Sequence, residues 1–159
     1  MGDFSHLNKS GDAAMVDVSD KTSTSRTAFV EGNVLVSSTC IEKLNKESIS
    51  EIITTARISG IQAAKKTSEL IPLCHQINLS KVDLDISLNS EEKRFSITAM
   101  AKTNSQTGVE MEAFTCANIA ALTIYDMIKA VNPEAKLDGF KLVEKLGGKN
   151  GHWKRSQLN

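Results

Sequence analysis

The chain has 159 residues, with 19 Lys and Arg balancing 19 Asp and Glu, 40% apolar residues and 4% aromatics. That length suits one domain and lets folding bury about 68–70% of the unfolded chain's surface. The balanced charge argues against a general nucleic-acid binder, which needs a basic excess against phosphates, though not against a local basic pocket, and the scarce aromatics leave little for base-stacking platforms. No apolar run approaches the roughly 20 residues that span a bilayer, and Met1 to Gly11 lacks a signal peptide's apolar core.

Residues 1–28 read as a polar, partly mobile arm that docks through one apolar island, Met15-Val16-Asp17-Val18. Ala28 to Val36 is β-prone. Ser48-Ile49-Ser50-Glu51 has the spacing of a capping box. Behind it Ile49, Ile52, Ile53, Ala56, Gly60, Ala63 and Ala64 recur at helical intervals, in a helix expected to stop near Leu70, before Pro72. From Leu79 the period changes to two: Val82, Leu84, Ile86 and Leu88 alternate with polar residues. A polar turn at 89–93 leads to Phe95, Ile97, Ala99 and Ala101, which alternate likewise, predicting an antiparallel hairpin. Thr107-Gly108-Val109-Glu110 has the spacing of a second capping box, opening a helix to about Val131 whose core stripe is Phe114, Ala117, Ala121, Ile124, Ile128 and Val131. Pro133 bars its continuation. Phe140, Leu142 and Leu146 suggest a last short strand, and residues 148–159 form a polar tail.

The order β-α-β-β-α-β is the α+β, ferredoxin-like split βαβ arrangement, an antiparallel sheet with both helices on one face, here expected over residues 29–147. The sheet's other face needs cover, which points to a homo-oligomer. The three cysteines, Cys40, Cys74 and Cys116, are odd in number and in no C-x-x-C pair. They suggest reduced thiols in a cytoplasmic protein rather than a disulfide framework or a structural zinc site.

Several residues can carry chemistry, and each has a plain structural reading. Cys116, Ile119, Thr123 and Asp126 each fall within about 40° of Glu112 on the second helix. Lys129 can pair with Asp126 at i, i+3, as in any solvated surface ion pair. Glu110 suits the capping-box acid, and Glu112 suits a first-turn carboxylate favoured by the helix dipole. Cys74 and His75 are adjacent, poor geometry for chelating one metal. Gly147-Gly148-Lys149 can offer N–H groups and an ammonium to phosphate without being a full P-loop.

Taken together, Met15-Val16-Asp17-Val18-Ser19, Ala56-Arg57 with Gly60-Ile61-Gln62-Ala63-Ala64-Lys65, Leu70-Ile71-Pro72-Leu73-Cys74-His75, Thr107-Gly108-Val109-Glu110-Met111-Glu112-Ala113, Ala121-Leu122-Thr123-Ile124-Tyr125-Asp126-Met127 with Lys129-Ala130-Val131, and Gly147-Gly148-Lys149 closely resemble the cyclic pyranopterin monophosphate synthase family, accessory protein C of molybdenum-cofactor biosynthesis. The resemblance covers nearly the whole chain. It implies a ferredoxin-like fold, a homohexamer built as a trimer of dimers with shared sites, and a phosphorus–oxygen lyase. The implied reaction converts 3′,8-cyclo-7,8-dihydro-GTP, supplied by a partner radical enzyme, to cyclic pyranopterin monophosphate and pyrophosphate. Asp126 matches the catalytic aspartate and Lys129 its neighbour. Leu73, Cys74 and His75, and Met111 and Glu112 with Glu110 beside them, match substrate-binding segments. Lys145 and Lys149 match basic residues near the site, assigned to phosphates.

One departure stands out. The family's lysine followed by Gly-Asp, before the first helix, has Lys46-Glu47-Ser48 as its nearest counterpart, about three residues farther from Arg57. Lys46 is the catalytic assignment, with Lys43 the alternative. No feature demands a metal, flavin or nicotinamide, and no site marks Mg²⁺ that would accompany the triphosphate. The expected partners are the small GTP-derived molecule and further copies of the chain, with neither nucleic acid nor membrane. The alternative function is a pterin- or nucleotide-binding oligomer that has kept the fold and lost the chemistry.

Overall fold

The computed structural model describes residues 4–149 and 151–156; the parts of the expected arm and tail at 1–3, 150 and 157–159 lie outside them. Its elements are β1 (Thr24–Leu35), α1 (Ser38–Lys43), α2 (Lys46–Ala64), α3 (Thr67–Leu70), β2 (Leu79–Asn89), β3 (Arg94–Ser105), α4 (Glu110–Ile128), β4 (Lys136–Leu146) and β5 (Trp153–Lys154). The strands form one antiparallel sheet in the order β2-β3-β1-β4-β5. Its first four strands follow the ferredoxin-like path read from periodicity.

Alternation fixes which sheet face is buried. On β3, Phe95, Ile97, Ala99, Ala101 and Thr103 turn inward; on β1, Ala28, Val30 and Val34 do so. The core closes over them with Ile52 and Ala56 of α2 and Ala113, Ala117, Ala121, Ile124 and Ile128 of α4. Small residues bring α2 and α4 together. A Cβ at Gly60 would stand 2.8 Å from both the Cys116 carbonyl oxygen and Leu84 Cδ2, so only glycine fits where the helices approach.

Both expected capping boxes are replaced. At α2 the reciprocal pair is Asn45 and Ser48: Ser48 N–H donates to Asn45 Oδ1 at 2.8 Å, and Asn45 N–H to Ser48 Oγ at 2.9 Å. Asn45 stands at the preferred cap position one turn earlier, so α2 starts at Lys46 rather than after Ser48. At α4, the cap residue is Val109, whose aliphatic side chain can make no capping bond, and Glu110 turns its carboxylate to Lys145 instead of back to Thr107.

The first long helix ends at Ala64, six residues before the expected stop. Thr67, buried, donates its hydroxyl to the Ala64 carbonyl at 2.9 Å, and a separate short turn, α3, follows. Helix α4 ends at Ile128, not Val131, which is 40% exposed and outside the core stripe. The last large strand begins at Lys136 and β1 begins at Thr24, each four residues earlier than expected. Part of the segment expected as a polar tail pairs as β5, with Lys145 opposite Trp153. Among the described residues no helix is long and apolar enough to cross a membrane.

Candidate active site

A cleft opens where the N-terminal turn of α4 meets the loop after α3, the start of β1 and the end of β4. Its central part, about 410 Å³, is lined by Leu73, Cys74, His75, Met111 and Glu112, with Arg26, Gly108, Glu110, Ser5 and His6. It adjoins a space of about 260 Å³ on the far side of His75 and Glu112, beside Lys65, Ser68 and Asn78. In the other direction it continues past Arg26 and Gly108 to Lys145, Gly147, Gly148 and Lys149. A further hollow of about 560 Å³ adds Lys21 and Thr22 to Arg26 and Lys149. Eight of the expected site residues, Leu73, Cys74, His75, Glu110, Met111, Glu112, Lys145 and Lys149, therefore line one continuous surface.

The end beyond Gly108 gathers cationic side chains and backbone N–H groups. Arg26 Nε and Nη2 donate to the Ser105 and Gln106 carbonyls at 3.0 and 3.1 Å, which fixes the guanidinium plane. Gly148 (φ +72°) lies against Arg26 Nη1, where any Cβ would collide, and Gly147 (φ +88°) lies against the Ser25 carbonyl. The two glycines thus let the backbone before Lys149 wrap onto the arginine. Lys145 Nζ is 3.0 Å from Glu110 Oε1, and the Glu110 carboxylate folds over Gly108, which has no Cβ to obstruct it. The first turn of α4, without a side-chain cap, adds backbone N–H groups and the positive end of the helix dipole. Arg26 and Lys21 were not anticipated. They sit in the segment read as an arm, and their only sequence signal is a cation that follows the apolar island.

Glu112 is the acidic counterpart. It is 4% exposed, and burial, reinforced by the neighbouring Glu110, pushes its pKa up from 4.5 to about 7, against a lowering by its own backbone N–H. A carboxyl of this kind exchanges protons near neutrality. Cys74 is raised by burial and then by Glu112; Cys116, fully buried, is pushed up to about 12 and is inert. On the His75 side, Nε2 lies 2.8 Å from the Val16 carbonyl. A carbonyl only accepts, so Nε2 carries the proton and Nδ1 is left for a ligand. Because Glu112 binds its proton more tightly folded than unfolded, its contribution to stability is complete below pH 4.5. It is lost as pH rises through about 7 and amounts at most to about 3 kcal/mol. Glu112→Gln should flatten that fall, as measured by urea unfolding between pH 4 and 8; an unchanged pH dependence would mean that Glu112 is already ionised at pH 5.

The remaining three expected residues stand at the opposite end of α4. Asp126 and Lys129 are exposed and paired at 2.6 Å, and that hydrogen bond raises the Lys129 pKa. Lys46 begins α2, which runs antiparallel to α4: Ser59 meets Thr123 at 2.7 Å, while Ala64 and Lys65 at the other end of α2 share one space with Glu112. The loop after β1 reaches the same end, where Ser37 N–H donates to Asn132 Oδ1 at 2.7 Å. Helix α4 is continuous from Glu110 to Ile128. Glu112 and Asp126 are fourteen residues apart, or about 21 Å at 1.5 Å per residue. One copy of the chain therefore holds the expected site residues in two separate groups and does not bring them together.

Residues 15–148 match the MoaC family, a span that contains all the expected site residues except Lys149, one residue past its end. With the ferredoxin-like fold and a cation-lined cleft at the head of α4, the chain belongs to the MoaC family, the molybdenum cofactor biosynthesis protein C family, and its role lies in molybdenum cofactor biosynthesis.

Proposed function

We propose that the protein is the lyase that converts 3′,8-cyclo-7,8-dihydro-GTP to cyclic pyranopterin monophosphate with release of pyrophosphate. The observation that carries this reading is one cleft with two chemically distinct ends. Arg26, Lys145, Lys149 and the α4 N-terminus suit a triphosphate. Glu112 can exchange a proton with a nitrogen-rich ring near neutral pH, and His75 presents Nδ1 as an acceptor to the same ring.

In this reading a substrate hydroxyl attacks the α-phosphorus, its proton passes to a base, the α–β phosphate bond breaks and pyrophosphate leaves against the cations. Asp126 serves as that base, and the Lys129 ammonium beside it steadies the developing negative charge. Lys46, at the same end of the helix layer, is the third catalytic candidate. Since the two groups of site residues are about 21 Å apart along one helix, a complete site takes Glu112 from one copy and Asp126 and Lys129 from another. A two-fold axis would give two such sites per dimer. Further association, to a trimer of dimers, would cover the open sheet face that carries Phe29 and Met100.

The direct test incubates the protein with 3′,8-cyclo-7,8-dihydro-GTP and assays both products. Equal amounts of pyrophosphate and cyclic pyranopterin support the lyase; tight binding with neither product supports the non-catalytic binder. At the phosphate end, Lys149→Ala should weaken substrate binding about fivefold at low salt. The difference should shrink as salt rises, because exposed charges are screened over about 8–10 Å near physiological ionic strength. Calorimetric titration at two salt concentrations reads this, and equal affinities at low salt would remove Lys149 from the site.

A further inference from the structure

We propose that residues 4–14 form a strap over the cleft and that His6, carried on it, is a binding residue for the phosphoryl groups of the substrate. This rests on the reading of the cleft as a site for a triphosphate-bearing molecule.

The strap lies outside the span that matches the family, which begins at residue 15. It is nevertheless shaped. Leu7 bridges Ala13, Ala14 N–H donates to the His6 carbonyl at 2.9 Å, and Asn8 Oδ1 accepts from the N–H groups of Ser10 and Asp12, each at 2.9 Å. Gly11 (φ +87°) makes the turn. These bonds are internal, and residues 4–13 are exposed, so the hairpin holds its own form while little apolar area ties it down. Its side toward the body puts Ser5 and His6 on the same cleft surface as Arg26 and His75. The ring-nitrogen hydrogen bonds among the described residues are those of His75 and His152, so the His6 imidazole keeps both nitrogens for a ligand. The base of the strap is latched at the site itself, by the Val16 carbonyl on His75 Nε2.

A segment with its own fold, a hinge on a site histidine and a free imidazole over the cleft is suited to close on an anion. Closure would add an N–H donor beside Arg26 and exclude water from the phosphates. The probe is inorganic triphosphate, binding of which does not depend on turnover. For the wild-type chain, triphosphate should slow amide exchange in residues 4–14 by at least about tenfold. His6→Ala should bind it about tenfold more weakly, and His6→Gln, which keeps an N–H donor, should recover most of that loss. Unchanged far-UV dichroism and Tm would show that the fold is intact. Wild-type affinity in His6→Ala, or exchange in 4–14 indifferent to triphosphate, overturns the strap alone. Failure of the wild-type protein to bind triphosphate overturns the phosphate-end reading with it.

Discussion

Asp126→Asn should lower formation of cyclic pyranopterin by at least about a hundredfold, the loss expected when a positioned base is removed. Its Tm should move by less than about 3 °C. The two expectations belong together. Asp126 is exposed at the end of α4, with Lys129 as its hydrogen-bonded partner, so nothing in the core depends on it. Asparagine keeps the shape and can still accept from Lys129, but it has neither the charge nor the basicity to take a proton from a hydroxyl. Steady-state turnover and a thermal melt on the same sample separate chemistry from folding. Turnover near the wild-type rate would return Asp126–Lys129 to an ordinary surface ion pair.

Much of the fold is legible because its signals are periodic and repeat over many residues. The alternation from Val82 to Leu88 and from Phe95 to Ala101 marks β2 and β3, and the small-residue stripes of α2 and α4 mark the helix layer. Local signals misled where two residues competed for one role. Asn45 outbids Ser48 as the cap of α2. Glu110, expected to close a box with Thr107, is drawn to Lys145, 35 residues away in sequence, a partner no local pattern reveals. Helix α1, six residues long, and β5, two, are too short to carry a period.

The site divides in the same way. The Leu73-Cys74-His75 and Met111-Glu112 segments were identified by family resemblance, and the fold brings them to one cleft. Arg26 escaped notice because its value lies in three-dimensional contacts: two carbonyls that orient it and Gly148, which allows the close approach. The raised pKa of Glu112 is likewise a consequence of burial, which sequence spacing alone does not measure.

The central claim is that each active site draws on two chains, and mixing two inactive variants tests it most directly. Glu112→Ala and Asp126→Ala are each expected to be inactive, since every site in either homo-oligomer lacks one essential group. In a mixed dimer one site keeps Glu112 from one chain and Asp126 from the other, while its twin lacks both. After random exchange at equal concentrations half the dimers are mixed, so about a quarter of wild-type activity should return. Exchange is verified independently by the transfer of a fluorescent label between oligomers. Recovery toward that level is the predicted result; confirmed exchange with no recovered activity would contradict a site shared between chains.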